Sequence, residues 1–207
     1  MLLYSGQLWT RNMKFPIEIK FKILTLVNQF TATDSTGKLV CYVRQKFWKL
    51  KEHVNVFADK EQNNLICDIK ANKVIDWSAK YTFTTPEGEV IGAVARSGMK
   101  SLWKAHYEIF DADDNQVMQL REVNAWVKFF DGLVGEIPII GALTGYFLNP
   151  KYEVKNMDGE SIFLVTKTRT FLEGKFKMEE MRDVEETQDM LGFLSVLMMI
   201  LLERRRG

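Results

Sequence analysis

The residues that most resemble a chemical site in this sequence are two clusters of cations around aromatics. R-Q-K-F-W-K-L-K places Arg44, Lys46, Lys49 and Lys51 around Phe47 and Trp48, and R-S-G-M-K-S-L-W-K places Arg96, Lys100 and Lys104 around Trp103. Guanidinium and ammonium groups meet phosphate oxygens, while an indole suits the boundary between polar and apolar phases, so both clusters fit an anionic lipid headgroup. The competing reading is ordinary: charges at strand ends that keep loops solvated. Asp111, Asp113, Asn115 and Glu122 stand at positions 1, 3, 5 and 12 of a calcium-loop spacing. Position 6 is Gln116 where the bend needs glycine, and the residues after it read as a strand, so a solvated acidic turn is the preferred reading.

Catalytic signals are sparse. His53 and His106 are the only histidines, each on a predicted strand without a companion at metal-ligand spacing. Ser97 and Lys100 form an S-x-x-K pattern, but in a strand-end loop and not at a helix start. Phosphate-binding glycine loops and a nucleophile elbow are absent from the sequence. No constellation of nucleophile, base and orienting group emerges, so the expectation is a non-enzymatic protein without a cofactor.

The elements that must position these residues repeat along the chain. FTATDSTGKLVCYVR, VNVFADKEQNNLICDIK, YTFTTPEGEVIGAVAR, YEIFDADDNQVMQLR and YEVKNMDGESIFLVTK each join two alternating strands through an acidic turn. Such turn residues accept the backbone angles that a tight reversal requires, so each unit reads as a β-hairpin. Adding a strand near Ile17–Leu24 and another near Lys175–Met181 gives about twelve strands. That many antiparallel strands must hide their edges, and closure into a barrel does so. A barrel this wide is not filled by its own side chains and needs an apolar occupant.

The stretch MLGFLSVLMMILL, Met190 to Leu202, supplies one. Asp183 and Glu186 have capping-box spacing, and Arg204, Arg205 and Arg206 suit the negative end of a helix dipole. A helix over about Val184–Arg206 follows, apolar all round, which means burial in protein or in lipid. The uncharged run is thirteen residues, about 20 Å of helix, whereas a bilayer core needs about 20 apolar residues. A core helix is therefore expected, with a membrane anchor as the alternative.

With 207 residues, 46% hydrophobic and 27% charged, the chain suits one folded domain, here 15–207, preceded by an N-terminal segment 1–14. A net charge of +1 gives no global attraction to nucleic acid, so no nucleic-acid partner is expected. Cys41 and Cys67 lie in apolar alternating runs. They read as buried thiols in a reducing cytosol, though a single disulfide between neighbouring strands stays open. The first residues lack a basic region followed by an apolar core, so the expected location is cytoplasmic, peripheral at the inner face of the membrane.

The order of these hairpins and the terminal helix resembles the LURP-one-related proteins, which share a structural superfamily with the tubby C-terminal domain and the phospholipid scramblases. The likeness rests on F-T-A-T-D-S-T-G-K-L-V-C-Y-V-R, on Y-E-I-F-D-A-D-D-N and Y-E-V-K-N-M-D-G-E, and on the final helix, from about Phe15 onward. It implies a mainly β fold, a closed twelve-stranded antiparallel barrel around the C-terminal helix. It also implies a phosphoinositide-like lipid or a protein partner; the alternative is scramblase-like lipid transport with that helix in the bilayer. One departure is the segment AWVKFFDGLVGEIPIIGALTGYFLNP, Ala125–Pro150, longer and more apolar than an ordinary connection. It reads as short helical turns across a barrel end, or as a patch that meets a membrane or partner.

Overall fold

The structure is a computed structural model that describes residues 13–22, 27–46, 53–72, 79–97, 105–123, 150–169 and 173–203. Twelve strands follow one another: β1 Ile17–Lys22, β2 Val27–Thr33, β3 Leu39–Lys46, β4 His53–Phe57, β5 Leu65–Ala71 and β6 Lys80–Thr84 form the first half. The second half is β7 Val90–Arg96, β8 His106–Phe110, β9 Gln116–Glu122, β10 Lys151–Asn156, β11 Ser161–Arg169 and β12 Glu173–Glu180. Each strand pairs antiparallel with its chain neighbours, and β1 closes on β12 with Ile17 opposite Met178, so the sheet is a closed barrel. The expected twelve-stranded architecture is therefore the observed one.

Five of the hairpins turn in the same way, and the reason is local chemistry. In the β2–β3 turn the carboxylate of Asp34 accepts the amides of Thr36 (2.9 Å) and Lys38 (3.0 Å), while the Asp34 amide donates to the Lys38 carbonyl (2.9 Å). Asp111 repeats this with the amides of Asp113 and Asn115, Asn156 with that of Glu160, and Thr85 uses its hydroxyl toward the Glu89 amide. Asp59 does the same in a slightly longer turn. In each turn one residue takes a left-handed backbone: Gly37, Gln62, Gly88, Asp114 and Gly159. A residue without Cβ enters that region freely, which explains why three of the five are glycine. A bulge precedes each turn and re-aims the strands, as between Ala32 and Thr33 or between Ile109 and Phe110.

All five tight turns lie at one rim, because strands alternate in direction. The longer connections, β3–β4, β5–β6, β7–β8 and β9–β10, lie at the other. The helix α1, Glu186–Glu203, enters at the turn rim and ends at the rim of long connections. Met190 to Leu201 are buried without a break, so the apolar run is the core of the barrel. Inward-facing Ile19, Phe30, Val43, Val56, Phe83, Val94, Tyr107, Leu120 and Val165 surround it. Among the described residues no helix is long and apolar enough to cross a membrane.

The helix backbone comes closest to β7, β8 and β9, and small residues permit that approach. A Cβ on Gly92 would meet the Leu191 side chain at 2.5 Å and the Phe110 carbonyl oxygen at 2.4 Å; one on Gly192 would meet the Phe163 ring at 2.4 Å. The helix begins at Glu186, two residues after the expected Val184. The Glu185 carbonyl accepts the Asp189 amide at 3.0 Å, so Glu185 takes the N-cap position and Asp183 stands outside the helix. Arg204, Arg205 and Arg206 lie outside the described residues. Cys41 and Cys67 are free and fully buried, and burial pushes the Cys41 thiol up to about 12.

Candidate functional site

The rim of long connections holds the strand ends that flank both cation–aromatic segments. β3 ends there with Lys46 and β4 begins there with His53; β7 ends there with Arg96 and β8 begins there with His106. The described strand ends on either side of both cation–aromatic segments therefore share one rim with Glu122 and Lys151. Arg44 points outward from β3 and is exposed. Lys46 closes the strand. Trp48, Lys49, Lys51, Lys100, Trp103 and Lys104 lie outside the described residues, as does the segment 124–149.

Arg96 behaves differently from its neighbours in sequence. It shares the inward parity of Val94, its side chain is only 11% exposed, and its guanidinium lies 3.9 Å from Glu203 at the end of α1. The Tyr107 hydroxyl donates to Glu203 Oε1 at 2.8 Å, and the guanidinium stands 6.0 Å from the centre of the Tyr107 ring. Three residues from β7, β8 and α1 thus form a clasp at the helix end. The carboxylate there opposes the negative pole of the helix dipole, and Arg96 offsets both. Nearby Tyr152 has its phenol pKa pushed well up, first by burial and then by the charges of Glu122 and Glu203.

The two histidines take structural partners. His53 Nε2 contacts Asp68 Oδ1, and Lys70 meets the other oxygen of Asp68 at 2.7 Å, all on the outer face. Arg121 Nε donates to His106 Nε2 at 3.2 Å, and His106 has its pKa lowered by partial burial and then by the Arg121 charge. Ser97 extends the β7–β8 ladder, its amide donating to the His106 carbonyl at 3.0 Å.

The calcium spacing does not assemble into a site. The Asp111 carboxylate accepts the amides of Asp113 (3.0 Å) and Asn115 (2.8 Å) and the Asn115 side-chain amide (3.2 Å). These bonds, that from the Asn115 backbone foremost, hold the Asp111 carboxyl below its usual range. Glu122 is the last residue of β9, at the opposite rim beside Tyr152, about 20 Å along the strand. Among the described residues no three His, Cys, Asp or Glu side chains are grouped to hold a metal ion.

At the turn rim, the start of α1 carries a feature that sequence reasoning missed. Asp189 is half-buried, and its Oδ1 has no hydrogen-bond partner. Burial first, and then the charges of Glu180, Asp183 and Glu186, push its carboxyl up to about 7. The density of acids in the stretch from Glu179 to Asp189 is the signal that could have pointed to it.

Comparison with known proteins yields one family. Neither the curated proteins nor the solved structures give a match. Residues 39–137, from the start of β3 past the end of β9, match the family model described as LURP-one-related. The match spans just under half of the chain, and the closed twelve-stranded wall with its enclosed helix is consistent with the tubby-like superfamily to which that family belongs.

Proposed function

We propose that this protein is a non-enzymatic binding module that docks the rim of long connections on an anionic phospholipid surface. The observation that carries the reading is topological: β3 ends with Arg44 and Lys46, and β7 ends with Arg96, at one rim of the barrel. Converging cations add their attractions to a charged surface, at about 1 kcal/mol for each one brought close. Trp48 and Trp103, next to lysines in sequence, provide the interfacial aromatics. A cytosolic membrane face, rich in anionic lipid, is the matching location, and phosphoinositides are the matching headgroups.

The competing reading, lipid transport with α1 in the bilayer, requires the helix to leave the barrel. Ten large apolar side chains between Met190 and Leu201 are buried there. At about 1.5–3 kcal/mol each, their withdrawal forfeits roughly 15–30 kcal/mol that a bilayer would have to restore, as an upper bound. The buried helix therefore favours docking by the intact barrel.

Vesicle flotation tests the proposal. Phosphatidylserine or phosphoinositide vesicles should carry the protein upward, and phosphatidylcholine vesicles should not. Lys46→Glu with Lys49→Glu should reduce recovery on anionic vesicles at least fivefold. Equal recovery on both vesicle types, with no effect of the double variant, overturns it.

A further inference from the structure

Charge is distributed unevenly along the barrel axis. The segments that form the turn rim are 13–16, 34–38, 58–64, 85–89, 111–115, 157–160 and 181–189. These 39 residues hold fourteen of the chain's 27 acids and four of its bases, a net charge of −10. Even with Lys80, which reaches Asp114 from β6, nine negative charges stand in excess. The segments that join strands at the other rim, with the residues after Glu203, carry nine bases and four acids in sequence, a net of +5. The whole chain is near neutral at +1, so its charge is separated along the axis. Turn geometry does not require this. Asp34, Asp59 and Asp111 cap their turns, and Thr85 and Asn156 do so without charge. The other eleven acids are surplus to that role.

The separation has a length. α1 runs from the turn rim to the other rim over 18 residues, about 27 Å, which is roughly three Debye lengths at physiological ionic strength. With the rim of long connections on an anionic surface, the acids of the turn rim stand outside its screened field. Laid on its side or inverted, the barrel brings them into that field, where each repels as each cation attracts. Resting on the proposed anionic docking, we infer that the acidic turn rim orients the barrel. It bars the other poses, so the protein stands on an anionic membrane with the N-terminus of α1 directed away from the lipid. In this role the acids bind no ligand; they exclude wrong poses.

Two labels on the full-length chain read the pose. Ser35→Cys carries a fluorophore at the turn rim, and Thr168→Cys carries one near the end of β11 at the other rim. Both positions are exposed, whereas Cys41 and Cys67 are buried. Phosphatidylserine vesicles with a nitroxide headgroup quencher should quench the Thr168 label at least threefold more than the Ser35 label. Four exposed acids that cap no turn are then reversed: Glu61→Lys, Glu89→Lys, Asp113→Lys and Asp158→Lys. This takes the rim from −10 to −2 and should leave the two labels equally quenched. The neutral set, Glu61→Gln, Glu89→Gln, Asp113→Asn and Asp158→Asn, retains −6 and should give an intermediate ratio. It decides the matter if the lysine set loses its thermal transition. Equal quenching in the wild type, stronger quenching at Ser35, or a ratio unchanged by the charge sets overturns the inference while recovery on the vesicles upholds docking. No recovery on phosphatidylserine vesicles overturns the docking itself, and the inference with it.

Discussion

Asp189→Asn should stabilise the protein at neutral and alkaline pH and leave it unchanged in acid. The carboxyl sits in the first turn of α1 with Oδ1 unpartnered, and Glu180, Asp183 and Glu186 around it. A shift from 3.8 to about 7 corresponds to about 4 kcal/mol if undiminished. The group is only half-buried, so solvent screening leaves about 1–2 kcal/mol. The sign follows from linkage. An acid whose folded pKa is raised binds its proton more tightly in the folded state, so stability is lost as pH rises from 3.8 toward 7 and stays lost above. Asparagine keeps the shape and cannot ionise. Urea unfolding of both proteins should show nearly equal stability at pH 3.5, a growing advantage for Asn through pH 5 and 6, and a plateau of about 1–2 kcal/mol above pH 7.5. The helix dipole pulls the other way, since a carboxylate near an N-terminus is ordinarily favourable. A pH-independent difference would refute the reasoning, and destabilisation at pH 8 would show that the dipole outweighs the clustered acids.

Leu197→Lys places an ammonium at a position with no solvent exposure. It should remove the native state altogether, because an unpaired buried charge and a lost apolar contact together cost several kcal/mol of a total of about 5–15. Loss of the cooperative thermal transition checks this, and a melting temperature within a few degrees of wild type contradicts it. Gln62→Gly should stabilise by about 0.5–1 kcal/mol, since Gln62 holds a left-handed φ of 64° where three sister turns use glycine. Urea midpoints measure that gain; a loss would mean that the Gln62 side chain contributes more than its backbone costs.

The hairpins were legible because each turn writes its own chemistry locally. An Asp, Asn or Thr whose side chain caps a turn amide, with a glycine three residues later, is readable without any distant contact, as in Asp34 and Gly37. The central helix was legible for a different reason: a thirteen-residue uncharged run has few places to go. What failed to show depended on distance or on register. Tyr107 and Glu203 meet across 96 positions, and nothing in either neighbourhood marks the pairing. Arg96 read as part of a solvent-facing cluster, although the parity of Val94 two residues earlier places it inside. The expected capping box failed by two residues, since several acids in DVEETQD compete for the same position and the Glu185 carbonyl takes it.

The order of elements along the chain has a consequence for synthesis. Every wall seam but one joins neighbours in sequence, so hairpins can pair as soon as they emerge from the ribosome. The closing seam, Ile17 to Met178, waits for the twelfth strand, and the segment that fills the interior follows even that. Until α1 emerges, the inward faces of twelve strands have nothing to enclose. The nascent wall must therefore be shielded, by curling on itself or by chaperones, and the native core forms only once the helix threads in and Arg96 and Tyr107 secure its far end.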